Sequence, residues 1–241
     1  MIGLGTIVNT AAIIVGGTAG TLLKNGIPDR FKKIIMEAIG LSVLVIGISG
    51  VMKGILFITN NKLDRQYIEL MIFSLVIGGI VGEFFKIEKK LGNLGEWFQN
   101  KFAKGEGNFA EGFVQTSLIF CVGAMAIVGA LEDGLTGSPN TLFAKAILDG
   151  VTSIVFSATM GVGVIFSAIS VLIYQGVITL LAGFIQPWLT NDVISQMSMV
   201  GSVLIMAIGI NLLEIRKIKV GNLVPAVFVP LVYYLLQNLF N

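Results

Sequence analysis

The residue that most invites a chemical role is Asp149, in the stretch KAILDG. Ser138 suits a helix N-cap and Pro139 the first helical turn, where its missing N–H costs nothing. Asp149 follows that proline by 10 residues, which at about 1.5 Å each is about 15 Å along a helix. In an apolar chain that depth lies inside a bilayer, where acids are costly and mark ion or proton paths. There Asp149 could hold Na⁺ or shuttle a proton. Lys145 precedes it by one turn, so the competing reading is an ion pair near the surface. Thr152 and Ser153 follow and make the neighbourhood polar.

Amides and hydroxyls form a second constellation. Asn9 and Thr10 stand near the start of the chain, and Gln115 and Thr116 repeat the pattern. These groups offer donors and acceptors to a polar solute or ion. They serve equally well as hydrogen-bonding glue between helices, and Asn211, Gln175 and Thr179 pose the same choice. A third group lies in VFSATMGVGVIFSA, residues 155–168, where Ser157, Thr159 and Ser167 flank Gly161 and Gly163.

Other chemistry is excluded by what the chain lacks. It has no histidine and one cysteine, Cys121. Imidazole metal ligands, His-activated nucleophiles and an intrachain disulfide are therefore absent. GISG at 47–50 resembles a rhomboid-protease motif, but no Ser–His dyad can form. There is no HExxH, phosphate-binding loop or paired-cysteine motif. No enzyme activity, metal or cofactor is expected, and no nucleic acid.

The elements that must position these residues are transmembrane helices. The chain is 55% hydrophobic and 12% charged, half the charge of about 25% usual in soluble domains. An all-α, polytopic bundle follows. Eight spans of about 20 residues fall near 4–23, 33–57, 67–86, 112–131, 141–160, 164–186, 194–213 and 220–239. The N-terminal stretch lacks a basic region and a cleavage site, and reads as the first span. With both termini outside, twelve of the sixteen Lys and Arg fall on the inner side, as the positive-inside bias requires. The inner clusters are Lys24, Arg30, Lys32 and Lys33; Lys86, Lys89, Lys90, Lys101 and Lys104; and Arg216, Lys217 and Lys219. The inner connection at 161–163 carries none. Irregular backbone at membrane depth is tolerated only inside protein or beside a water-filled cavity, so this turn is expected to be sunk and to line a cavity. The competing reading is a short Gly turn at the interface, its hydroxyls bonded to their own helices.

The segment 86–110 is the one long polar stretch. Ile87, Leu91, Leu94, Phe98 and Phe102 recur at helical spacing beside Trp97, which suggests a cytoplasmic interfacial helix; a charged linker is the alternative. It divides the chain into a first membrane half, 1–110, with three spans, and a second, 111–241, with about five. Between the halves VNTAAIIVGGTAG aligns with VQTSLIFCVGAMA, matching Asn9 to Gln115, Thr10 to Thr116 and Gly17 to Gly123. An odd number of spans separates the copies, so the repeat would be inverted, a plan common in transporters with sites at the repeat interface. Glu37 reads as an interfacial pair with Lys33, and Glu83, Glu132 and Asp133 as solvated acids at span ends. Gly16-x-x-x-Gly20, Gly50-x-x-x-Gly54 and Gly78-x-x-x-Gly82 are small-residue spacings for close helix contact.

The blocks GTIVNTAAIIVGGTAG, VGAMAIVGALEDGL, KAILDG, SATMGVGVIFSA, YQG and AIGINLLEIRKIKVGNLVPA resemble the bacterial YdfK/YqgA-like family over nearly the whole chain. The resemblance implies an integral inner-membrane protein and carries no catalytic residue. The residues favour a transporter or channel for a small polar solute or monovalent ion, proton- or sodium-coupled. Its path would be lined by Asn9, Thr10, Gln115, Thr116, Asp149, Thr152, Ser153, Ser157, Thr159, Gly161, Gly163 and Ser167. The alternative is an accessory or regulatory membrane protein acting through 86–110. Expected partners are the lipid bilayer and the solute or ion, with a homo-oligomer as a further option.

Overall fold

The computed structural model describes residues 1–24, 28–59, 62–102 and 109–240. Lys104 and the side chains of Lys24, Lys32 and Phe102, used in the charge and periodicity arguments, lie outside the described residues. The helices are α1 (Leu4–Lys24), α2 (Asp29–Ile55), α3 (Ile68–Phe85), α4 (Ile87–Phe102), α5 (Phe109–Cys121), α6 (Ala124–Thr136), α7 (Asn140–Met160), α8 (Gly163–Leu180), α9 (Ala182–Ile185), α10 (Asn191–Leu212), α11 (Val220–Leu223) and α12 (Val229–Phe240). A 3₁₀ turn, Val224–Phe228, joins the last two.

Seven helices are long and apolar enough to cross a membrane, and the α5–α6 pair makes an eighth if it is one crossing. Each expected span has its helix. The expected continuous span at 112–131 is instead broken, with a bend of 61° between α5 and α6. Gly123 sits in the break at φ +154°, a conformation side chains rarely adopt and glycine permits. A second departure is a short antiparallel hairpin between α2 and α3, β1 (Leu56–Thr59) with β2 (Lys62–Arg65), in register from Leu56 opposite Arg65 to Thr59 opposite Lys62. Its strands of four residues are too short to show a periodicity beside the helices they join.

The chain forms two compact units that alternate along the sequence, each taking helices from both sides of residue 110. The first holds α1, most of α4, α5, α7, α8 and α9, with α6 from Met125 onward. In it α1 and α7 run in the same direction, because Gly5 packs on Leu142, Gly16 on Gly150 and Gly20 on Ile154. The contacts of Gly16 and Gly20 are with backbone carbonyls, so a Cβ at either would overlap an oxygen. Helix α8 runs opposite to α1, with Thr6 beside Thr179 and Gly17 beside Ile165. Helix α5 runs with α8, as Phe109 lies on Gly163 and Ser117 bonds Ser170. The matched stretches in α1 and α5 thus run in opposite directions, a condition of an inverted repeat. Ile13, Phe120, Ala168 and Val171 form an apolar layer among these helices.

The second unit pairs α2 with α10 in opposite directions, through Gly40 on Leu213, Gly47 on Met206, Gly50 on Ser202 and Gly54 on Met199. Helix α3 lies on the α11–3₁₀ segment through Gly78 on Ala226 and Gly82 on Asn222. All three small-residue spacings are therefore helix contacts. Met199, Val200 and Ala226 form this unit's buried cluster. At one end Asn222 Oδ1 accepts the Glu88 N–H at 2.7 Å, and Glu88 accepts the Gly221 N–H at 2.6 Å. This clamp fixes the turn out of α3, where Lys86 adopts φ 52°.

Asn211 closes a second clasp. Its Nδ2 donates to the Ile218 carbonyl at 2.8 Å, and its Oδ1 accepts the Ile218 N–H at 2.7 Å. Its role is therefore to tie the loop after α10. Asn211→Asp keeps the acceptor and loses the donor, facing one oxygen against another. It is expected to cost about 1–3 kcal/mol, read as a lower unfolding midpoint in detergent. An unchanged midpoint would remove the clasp's importance.

Candidate functional site

Helix α7 inverts the pattern of a soluble amphipathic helix. Lys145, Asp149, Ser153 and Ser157 recur at every fourth residue and are all buried. Ile147, Leu148 and Val151 face outward and are more than half exposed, at 69%, 57% and 58%. A helix with its polar stripe inside and its apolar stripe outside is built for lipid, with polar groups meeting only other helices.

Asp149 sits at the centre. Lys145 Nζ approaches its Oδ1 at 2.9 Å and Oδ2 at 2.8 Å. Asn9, from α1, donates through Nδ2 to Asp149 Oδ2 at 3.1 Å and to Gln175 Oε1, from α8, at 3.3 Å. The expected Lys145–Asp149 pair therefore exists, but not at the surface: the two side chains are 10% and 8% exposed. Paired opposite charges with an added hydrogen bond are the form in which a charge persists away from water. Four polar atoms nearby, Asn9 Oδ1, Gln175 Nε2, Ser153 Oγ and Ser157 Oγ, are buried with no hydrogen-bond partner. Cys121, the last residue of α5 before the break, packs against the apolar layer of Ile13, Phe120, Ala168 and Val171 that joins these helices. The site is thus formed where three long helices meet beside a discontinuous one, the setting in which membrane transporters place binding sites.

The other residues named from the sequence are placed differently. Thr10, Thr116 and Thr152 each donate to the carbonyl four residues back on their own helix. Thr159 donates to Val155 and Phe156, and Ser167 to Val164. Gln115 Nε2 bonds Glu111 within α5 at 3.0 Å. The Gly161-Val162-Gly163 turn has both glycines buried. Gly161 adopts φ +87°, and its N–H donates to the Ser157 carbonyl at 3.0 Å. The start of α5 covers the turn, with the Phe109 carbonyl against Gly163, and Phe98, Phe109, Phe113 and Phe166 pack as rings 5.1–5.8 Å apart nearby. The turn is sunk in protein, and of its three hydroxyls only Ser157 faces inward without a partner.

Two expectations are corrected. Pro139 occupies the N-cap position of α7, and no side chain caps the helix. Asp133 is not solvated: it is fully buried, and its Oδ2 accepts the Gly5 N–H at 3.0 Å. Glu132 is half-buried and accepts the Thr141 hydroxyl at 2.6 Å, while Glu83 and Glu37 are exposed. Thr6 carried no signal in the sequence, while Gln175, Thr179 and Asp133 were named there but not placed on the path. The four-residue spacing of Gln175 and Thr179 on one helix was the available signal for two of them. Asp133 meets α1 only through tertiary packing.

Fold and site together define a multi-pass helical membrane protein with a buried, charge-paired polar centre. The chain belongs to the family described as "Protein of unknown function (DUF554)", which matches residues 4–235. It is 36% identical to the "Uncharacterized membrane protein YdfK" of Bacillus subtilis (strain 168) over 226 residues, 94% of this chain and 93% of that one. It is 29% identical to the "Uncharacterized protein YqgA" of Escherichia coli (strain K12) over 228 residues, 92% of each. No solved structure matches the chain.

Proposed function

We propose that the protein is a transporter or channel for a monovalent ion or small polar solute, proton- or sodium-coupled, with Asp149 as its ionisable centre. The observation that carries this reading is the Lys145–Asp149 pair, buried among α1, α7 and α8 and bonded to Asn9. A structural core needs no such pair, since apolar residues of similar volume serve as well or better. A permeant cation would compete with Lys145 for the Asp149 carboxylate. Ser153 and Ser157 continue the polar stripe along α7. The reading assigns no catalytic residue and no cofactor.

The proposal places the protein in the inner, cytoplasmic membrane with both termini outside. The helix directions within each unit fit eight crossings, counting α5–α6 as one. The bias of Lys and Arg supports this side. An inverted repeat relating α1 to α5 remains part of the proposal.

Purified protein in liposomes, assayed for Na⁺, K⁺ and proton flux and for uptake of small neutral solutes, tests it. Wild-type protein is expected to support flux of one of these, and Asp149→Asn to abolish or uncouple it. Flux unchanged in Asp149→Asn would remove Asp149 from the path. The second reading, an accessory protein acting through 86–110, draws on α4, whose Trp97 and Leu94 are exposed beside its lysines. Absence of flux for every probe, with partner capture lost on deleting that segment, would favour it.

A further inference from the structure

Asp133 goes beyond the Asp149 reading. It lies on α6, after the helix break, and is 0% exposed. Its Oδ2 accepts the N–H of Gly5, in the first turn of α1, where N–H groups lack intrahelical partners. Capping α1 occupies that oxygen alone. Asp133 Oδ1 is buried with no hydrogen-bond partner, a costly state for a carboxylate oxygen that does nothing else.

Two hydroxyls share its layer. Thr6 follows Gly5 in the chain, and its Oγ1 lies 3.4 Å from Thr179 Oγ1, both side chains buried. Gly134, next to Asp133, packs directly on the Thr179 carbonyl, so α6 and α8 are in contact at this level. Thr6 is three residues before Asn9 and Thr179 four after Gln175. The layer therefore stands one helical turn from the Asp149 centre, about 5.4 Å along the helices. Three helices thus place one buried carboxylate and two buried hydroxyls in the same layer.

That donor set has a definite preference. Oxygen-only ligands suit hard cations; Ca²⁺ takes about six to eight of them, and Mg²⁺ keeps several of its waters. Among the described residues no group of three or more His, Cys, Asp or Glu could hold a metal ion, and the neighbouring Glu132 is engaged by Thr141. One formal negative charge matches one positive charge. We propose that Asp133, with Thr6 and Thr179, forms a binding station for a monovalent cation, one turn from the Asp149 centre.

The test is cation binding by the full-length protein in detergent micelles, which does not depend on transport. Unfolding midpoints are compared in NaCl, LiCl, KCl and choline chloride at equal ionic strength. Wild-type protein is expected to show a saturable rise with one of the alkali cations over choline. Asp133→Asn keeps an oxygen for the Gly5 N–H and removes the charge, so it should elute as folded protein and lose the shift. The double variant Thr6→Val/Thr179→Val should weaken apparent cation affinity tenfold or more and serves where Asp133→Asn does not fold. No cation-specific shift in wild-type protein would overturn the station, as would a wild-type shift in Asp133→Asn or, where that variant does not fold, in the double variant. A lower midpoint for Asp133→Ala in every salt, with Asp133→Asn behaving as wild type throughout, would reduce Asp133 to a helix cap. Each of these outcomes leaves the Asp149 flux result standing or falling by itself.

Discussion

Lys145→Met is expected to destabilise the folded protein by about 3–5 kcal/mol, the cost of leaving one member of a buried ion pair without its partner. Asp149 would keep only the Asn9 amide, at 3.1 Å, in a site where its side chain is 8% exposed. Asp149→Asn should cost a comparable amount, since Lys145 then has no carboxylate within a turn. Lys145→Met/Asp149→Asn removes both charges and should recover most of the loss, because uncharged replacements of similar volume are close to neutral. Unfolding of the four proteins in detergent gives the coupling directly. Single variants as stable as wild type would mean that water reaches the pair. The cycle also guards the flux result, as a double variant that folds but moves no ion separates function from folding.

The second large effect is at the α1–α7 contact. Gly16→Leu and Gly20→Leu should each cost about 3 kcal/mol or more, at or beyond the upper end for overpacking. Usually a side chain can turn away from an intruding methyl. Here the atoms in the way are the carbonyl oxygens of Gly150 and Ile154, so a helix must move. Moving α7 from α1 also pulls Asp149 from Asn9, and folded variants should lose flux as well. Gly176→Ala is the control: nothing lies within 4 Å of its added Cβ, and alanine is about 1 kcal/mol better than glycine in a helix. Folded yield of Gly16→Leu equal to that of Gly176→Ala would contradict the close crossing.

Seven apolar helices long enough to cross a membrane were legible in the sequence, because bilayer thickness sets one length and hydropathy is local. Gly16 and Gly20, Gly50 and Gly54, and Gly78 and Gly82 were legible as contact points for a similar reason, as two small residues on one helix face leave a groove whatever fills it. Asp149 stood out because a carboxylate far from a helix end is costly anywhere in lipid. The break at Gly123 was not legible, since the residues around it are as apolar as those of an unbroken span.

Partnership was the part that only the tertiary structure decided. Asn9 aligns in sequence with Gln115, yet Asn9 bonds Asp149 and Gln175 while Gln115 bonds Glu111 on its own helix. Thr10 and Thr152 looked as suited to a path as Ser153, but they turn to their own backbones. Asp133 sat at a span end like Glu83, and became a buried group because α6 lays it against the start of α1. The sequence by itself determined that the chain is a bundle of apolar helices, where small residues let those helices meet, and that Asp149 lies far from a helix end. Which polar groups face one another depended on the rotation and direction of each helix. Those are set by contacts between residues more than a hundred positions apart, such as Asn9 with Asp149 and Gly5 with Asp133.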